Sequence, residues 1–412
     1  MNLEFTFKDV FRAARPSSKR IWVAFEGIFI ATIIYAVFSY LTFLTGGWAI
    51  KRIWQEFRFL PMPLGHHFPW YSWLIWIIGL LGVFYFYAVT TTAIAKIQFE
   101  QLRGDEFYET REAWRYAFKN WQAPFLSPLT LIFFIAILIL MGMCFGLVGR
   151  IPYVGQIAIG CLALPIIAGA LFVVYLGIVL AVTFLTANAI VATTEGDTFD
   201  TIFESFSLIN EQTWRYVLWE IILGITTFVG TFIFAILLRE ALHLTRWALG
   251  VWQGPREWWN IMWKNAHWYL HITWIPIWVG KYFPSLVLPY KFISAGASGV
   301  TTSFGGFLLG LSFYVIVFVV LGYAVSTWVS GQTIIYIILV KLKDEKNLLE
   351  KKEEIIEEEI KPEVKVEEKV EKKEEEEEKK TKKKTTKKKT TAKKKTTTKK
   401  KTTTKKGRKK KA

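Results

Sequence analysis

The chain has 412 residues, 52% of them hydrophobic and 17% aromatic, with a mean hydropathy of +0.30. Its formal net charge is +17, yet residues 379–412 hold 20 Lys/Arg and no acid, so the excess basicity belongs to one end. The apolar residues come in long blocks rather than at the short helix or strand period of a soluble domain, which excludes an ordinary soluble globular fold.

The first twenty residues, MNLEFTFKDVFRAARPSSKR, mix acids, bases and aromatics, with no short apolar core followed by a small-residue cleavage site. Phe7, Val10, Phe11 and Ala14 alternate with Lys8, Arg12 and Arg15, which predicts an amphipathic helix. Thr6 with Asp9 resembles an N-cap pair with an acid three residues on. Two apolar runs follow, 21–44 and 71–97, each exceeding the roughly 20 residues that cross a bilayer core.

Residues 104–121, GDEFYETREAWRYAFKNW, interrupt this pattern with a charged stretch. Phe107, Trp114, Phe118, Trp121 and Phe125 form one helical stripe, and Glu109, Arg111, Glu112, Arg115 and Lys119 fall mostly off it. Apolar runs at 126–149 and 163–185 come next. Residues 154–186 are too long for one upright span, and Pro165, between Gly160 and Gly169, predicts a break that leaves VGQIAIGCLAL as a shallow or re-entrant piece. Cys144 and Cys161 lie inside apolar runs, where they are expected as small buried hydrophobes without disulfide or metal spacing.

The charged phrase then recurs as GDTFDTIFESFSLINEQTW at 196–214. Gly104, Asp105, Phe107 and Glu112 match Gly196, Asp197, Phe199 and Glu204, and Phe199, Ile202, Phe203, Phe206 and Ile209 repeat the stripe. Asp197 with Asp200 is a second N-cap pair. Upstream, TTTAIAKI (90–97) faces LTANAIVA (185–192). With spans at 216–238 and 305–329, the pattern is all-α: a six-span transmembrane bundle of three units, each an interfacial elbow helix followed by a helical hairpin. The units run 1–98, 99–193 and 194–340 within a membrane domain 1–340, followed by a charged, partly helical acidic linker, 341–378, and a disordered Lys/Thr-rich tail, 379–412.

The phrase ANAIVATTEGDTFDTIFESFSLINEQTWRY resembles a pattern in large bacterial polytopic membrane families, among them the membrane region that accompanies some glycerophosphodiester phosphodiesterases. Ala187, Ile190, Gly196, Asp197, Phe199, Phe206, Trp214 and Arg215 carry the resemblance, which spans about residues 85–345. It implies a fold. The soluble phosphodiesterase barrel has no counterpart here, so no catalytic residue carries over.

Short flanking segments on the elbow side carry the Lys/Arg excess, which predicts both termini in the cytoplasm of a bacterial inner membrane. Glu26 and Glu220 lie inside spans, each about a turn past a basic residue, Arg20 and Arg215. They either pair with those arginines across units or line a proton or substrate path. The outer loop 239–302 is rich in tryptophan, with Trp259, Trp263, His267, Leu270, Trp274 and Trp278 on one helical face. That face is read as an amphipathic helix at the interface or as an aromatic platform for glycan or lipid. His267 and His271, spaced i, i+4, could share a metal or act as a proton-sensitive pair. No nucleophile–base set, phosphate loop or cofactor motif stands out, so no enzymatic activity and no cofactor is expected. The polycationic tail points to anionic phospholipid first, and to nucleic acid or another polyanion, bound without sequence preference, second. These features lead to a membrane scaffold or envelope-organising protein; the alternative is a permease for a lipid-like or small solute. Oligomeric state is not legible.

Overall fold

The computed structural model describes residues 3–252, 257–269 and 299–350. The described helices belong to one compact unit, Met1–Leu349, which passes the expected boundary at residue 340 because Leu348 and Leu349 pack against the core. The expected linker from 351 and the Lys/Thr tail lie outside the described residues.

A 3-10 helix, Phe7–Ala14, precedes α1 (Ser18–Thr45), α2 (Ile50–Phe57), α3 (Trp70–Leu102), α4 (Thr110–Lys119) and α5 (Gln122–Val148). Then come α6 (Val154–Cys161), α7 (Ala163–Thr194), α8 (Thr198–Gly250), α9 (Trp258–Tyr269) and α10 (Val300–Asp344). No strand occurs among the described residues. Six of these helices, α1, α3, α5, α7, α8 and α10, are long and apolar enough to cross a membrane. The chain is therefore a multi-pass membrane protein.

The expected break near Pro165 falls at Leu162, between α6 and α7, and Pro165 sits in the first turn of α7 where its missing N–H costs nothing. The third elbow is not a separate helix. It forms the start of α8, which continues into the span across a kink at Gln212, where φ is −134°. Gln212 turns its amide to the carbonyl of Leu339 at 3.4 Å, so the lost helical geometry meets a partner on α10. The first elbow is a 3-10 rather than an α-helix. The Asp197–Asp200 cap forms, with Asp200 N–H donating to Asp197 Oδ1 at 2.9 Å; at Thr6 only the backbone amide bonds Asp9, at 3.2 Å, and the hydroxyl makes no cap bond. Substituting Asp197 with alanine leaves the first turn of α8 uncapped and is expected to lower stability by about 1 kcal/mol, read from denaturant midpoints; Asp197→Asn should recover most of it.

The three units close into a ring. The second spans, α3, α7 and α10, pack on one another at the centre. Each first span leans on its own partner and on the central helix of the preceding unit: α5 on α3, α8 on α7, and α1 on α10. Each elbow likewise rests on the unit before it, the 3-10 helix on α8 and α10, and α4 on α3 and α1. The start of α8 packs Phe206 against Tyr175 of α7, and Asn210 Oδ1 accepts from the Tyr175 hydroxyl at 2.8 Å.

The centre is sealed where the elbows gather. Ile94 and Ile97 of α3, Ile190 of α7, and Ile334 and Ile337 of α10 have no exposed surface. Four residues before Ile94, Ile190 and Ile334 stand Thr90, Thr186 and Ser330. Each returns its hydroxyl to the carbonyl four residues back, to Phe86 at 2.6 Å, Val182 at 2.8 Å and Ser326 at 2.6 Å. These small residues let helices approach closely with their hydroxyls already satisfied, the usual solution where lipid offers no hydrophobic drive between helices. Gly27 abuts the side chain of Thr90, and Gly331 abuts Leu223.

The elbow stripes divide into two faces. Val10 and Ala13, Ala113 and Ala117, and Leu208 and Ile209 are buried on the bundle. Phe7 and Phe11, Phe107 and Phe118, and Phe199 and Phe203 point away and are exposed. Of the expected stripes, Val10, Trp114, Trp121, Phe206 and Ile209 pack on the bundle while Phe7, Phe11, Phe107, Phe118, Phe199 and Phe203 turn outward; the buried Ala13, Ala113, Ala117 and Leu208 lie off those stripes. Cys144 and Cys161 are exposed rather than buried, because α5 and α6 turn most of their surface outward at the bundle's periphery.

Candidate functional site: a basic cavity beneath the elbows

Arg20 stands at the seam where the ring closes. Its Nη1 donates to Gln98 Oε1 on α3 at 2.5 Å and to Ser330 Oγ on α10, and its Nη2 donates to the carbonyl of Arg15 at 2.8 Å. Only 4% of Arg20 is exposed, and Nε has no hydrogen-bond partner. Its three acceptors are neutral. No carboxylate of the described residues lies within ion-pair distance of it.

Arg20 helps line a cavity of about 980 Å³ shared with Arg12, Arg15 and Lys19 from the first elbow and the start of α1, and with Gln98 and Gln101 from α3. Lys19 is held in place by the carbonyls of Glu106 at 2.8 Å and Tyr108 at 3.0 Å, on the loop before α4. Four cations therefore line the space with one carboxylate, Glu106, and Arg12 is paired with Asp9 of its own helix at 3.1 Å. The first turn of α1 has no side-chain cap, since the Ser17 hydroxyl accepts from Gln101 Nε2 at 3.3 Å instead. The positive end of the helix opens on the same space.

Beside it lies a second polar network. Lys96 of α3 contacts Glu100 Oε1 at 3.0 Å and Glu195 Oε1 at 3.6 Å, and its ammonium sits 4.5 Å from the ring centre of Tyr116 on α4. The Tyr116 hydroxyl donates to the carbonyl of Val191 at 2.7 Å. Burial, with the carboxylates of Glu100, Glu112, Asp105 and Glu195 nearby, pushes the Tyr108 hydroxyl up to about 12. Across the seam, Lys343 gathers Glu204 at 3.8 Å and Glu211 at 3.9 Å, fixing the third elbow to the end of α10.

The two intramembrane carboxylates do not pair with arginines. Glu26 accepts from Trp114 Nε1 of the second elbow at 2.8 Å, and Glu220 accepts from Gln332 Nε2 of α10 at 2.8 Å. Arg215 lies 5.4 Å from the ring centre of its neighbour Trp214. The expected cross-unit exchange of Glu26 with Arg215 and Glu220 with Arg20 is replaced by neutral donors, which leave each carboxylate hydrogen-bonded without a second buried charge. In unit two the corresponding Ser127 reaches the carbonyl of Thr198 at 3.5 Å, again tying a first span to the following elbow.

On the opposite face, Trp259 and Trp263 are buried against Phe313, Tyr314 and Phe318 of α10, so neither ring offers an open stacking surface. Trp274, Trp278 and His271 lie outside the described residues. His267 commits Nδ1 to the carbonyl of Trp263 at 2.9 Å and packs its ring on Trp263 and Phe313. No cluster of three metal-ligating side chains occurs among the described residues. Arg58, at a left-handed φ of 58°, lays its guanidinium 3.5 Å from the ring centre of Trp268 and so ties the segment after α2 to α9; burial lowers its pKa.

Burial, helped by nearby Arg246, holds His267 below its ordinary value of 6.5. Above that pH both folded and unfolded chains carry a neutral imidazole. As the pH falls through about 6.5 only the unfolded chain takes the proton, so stability declines toward the lower folded pKa. Unfolding midpoints measured from about pH 7.5 down to 5.5 should therefore fall, and His267→Gln should flatten that part of the profile.

Sequence reasoning singled out Arg20, Glu26, Glu220 and Arg215 but not Gln98, Gln332 or Lys96, and Arg215 stays apart from the cavity and from both carboxylates. A lysine inside the apolar run AIAKIQF was the available signal. Comparison with protein-family models, curated proteins and solved structures finds no match to this chain.

Proposed function

We propose that this protein is a non-enzymatic membrane scaffold whose elbow face is cytoplasmic and whose polybasic tail holds anionic phospholipid of the inner leaflet. The observation that supports this reading most is the sealed centre of the ring. Where a central path would leave the bundle on the elbow side, Ile94, Ile97, Ile190, Ile334 and Ile337 are packed without exposed surface. Basic side chains collect on that same face, at Arg12, Arg15, Lys19 and Arg20.

Deleting residues 379–412 tests the tail. Each lysine near an anionic surface contributes on the order of 1 kcal/mol, so the full chain in nanodiscs should capture phosphatidylglycerol vesicles at low salt and lose most of that capture on deletion. Undiminished capture would remove the anchoring role. A permease reading has the half-buried Glu220–Gln332 pair in its favour. Glu26→Gln and Glu220→Gln separate the two: a scaffold keeps its anchoring and changes only in stability, whereas solute flux lost from folded variants would favour the permease.

A further inference from the structure

We propose that the cavity under the first elbow is a phosphoryl-binding site, with Arg20 at its floor and Lys19 at its rim. The buried guanidinium of Arg20 has only neutral acceptors from the protein. A buried cation is stabilised by an anion, and none of the described carboxylates supplies one within ion-pair distance. The cavity adds Lys19, Arg15 and Arg12 to its lining, together with the uncapped first turn of α1. Backbone N–H groups at a helix start combined with arginine and lysine are the donor set that phosphate oxygens take. Gln98 and Gln101 add neutral polar groups. Glu106 is the one carboxylate lining the space and Asp9 pairs with Arg12 at 3.1 Å, which leaves Arg15, Lys19 and Arg20 against the single Glu106 charge.

The phosphoryl group could belong to a lipid headgroup or to free phosphate, since the cavity lies at the level of the interfacial elbows. The site does not depend on the tail, and its failure is separable from that of the anchoring role, because deleting 379–412 leaves the cavity residues in place.

The full chain in neutral detergent should show a rising unfolding midpoint with added inorganic phosphate, against chloride at matched ionic strength, or with phosphatidic acid mixed into the micelles against phosphatidylcholine. A ligand that binds only the folded state raises that midpoint. A rise with inorganic phosphate assigns the site to the free ion; a rise with phosphatidic acid alone assigns it to a headgroup. Arg20→Gln keeps a hydrogen-bonding side chain but removes the charge, and Lys19→Gln does the same at the half-exposed rim. Each should weaken the response about tenfold or more, and Lys19→Gln decides the matter if Arg20→Gln does not fold. No rise with either ligand, or a rise of equal size in both variants, overturns the proposal.

Discussion

Lys96→Gln is expected to cost about 2–3 kcal/mol, with unfolding midpoints in detergent as the measurement. Removing one partner of a buried ion pair costs more than the pair contributes, because the other charge is left behind; about 3–5 kcal/mol is usual for full burial. Lys96 is 8% exposed, but Glu100 is 16% and Glu195 54% exposed, so solvent screening reduces the figure. The lysine also reaches the carbonyl of Ala192 at 3.5 Å and lies against Tyr116, so its loss loosens α3 from both α7 and α4. A second change follows from the same physics. Lys96→Met combined with Glu100→Gln removes the two most buried charges, leaving Arg103 and the half-exposed Glu195, and should recover part of the loss, whereas Lys96→Met alone should not.

Gly331→Leu is expected to be at least as damaging, on the order of 3 kcal/mol. Even a single methyl added at Gly331 collides with Leu223 of α8, and neither the α10 backbone nor the fully buried Leu223 has room to move. The helix gains propensity when glycine is replaced, by less than about 1 kcal/mol, so the collision decides the sign. Leu223→Ala in the same chain makes space and should return part of the stability. Gly27→Leu, against Thr90, should behave alike at the α1–α3 contact.

The spans were legible because a bilayer imposes one strong rule on length and hydropathy, and all six runs became helices long enough to cross. The repeat was legible from Gly104–Asp105 and Gly196–Asp197. Its consequence, that each elbow rests on the preceding unit, was not, because which helices touch depends on packing of small residues such as Thr90, Thr186 and Ser330, whose side chains carry no periodic signal. The stripe Phe107, Trp114, Phe118, Trp121 and Phe125 was read as one apolar face; the bundle divides it, packing Trp114 and Trp121 and leaving Phe107 and Phe118 outward. Glu26 and Glu220 stood out as charges in apolar runs, but their partners, Trp114 and Gln332, are 88 and 112 residues away, beyond what spacing can join. Arg20 was visible as a basic residue. That it is buried without a carboxylate, at the floor of a cavity, required the fold.

Ring closure between the first and last units is the feature on which the sealed centre and the Arg20 cavity both depend. A Cβ placed on Gly322 of α10 would lie 3.6 Å from the Cβ of Ala24 on α1, within the range a disulfide spans. With Cys144 and Cys161 changed to serine, the pair Ala24→Cys and Gly322→Cys should cross-link under mild oxidation in the membrane. Cleavage of the chain between the two should then leave the fragments joined until reductant is added. Fragments that separate without reductant, from a chain that is folded and inserted, would contradict the closed ring.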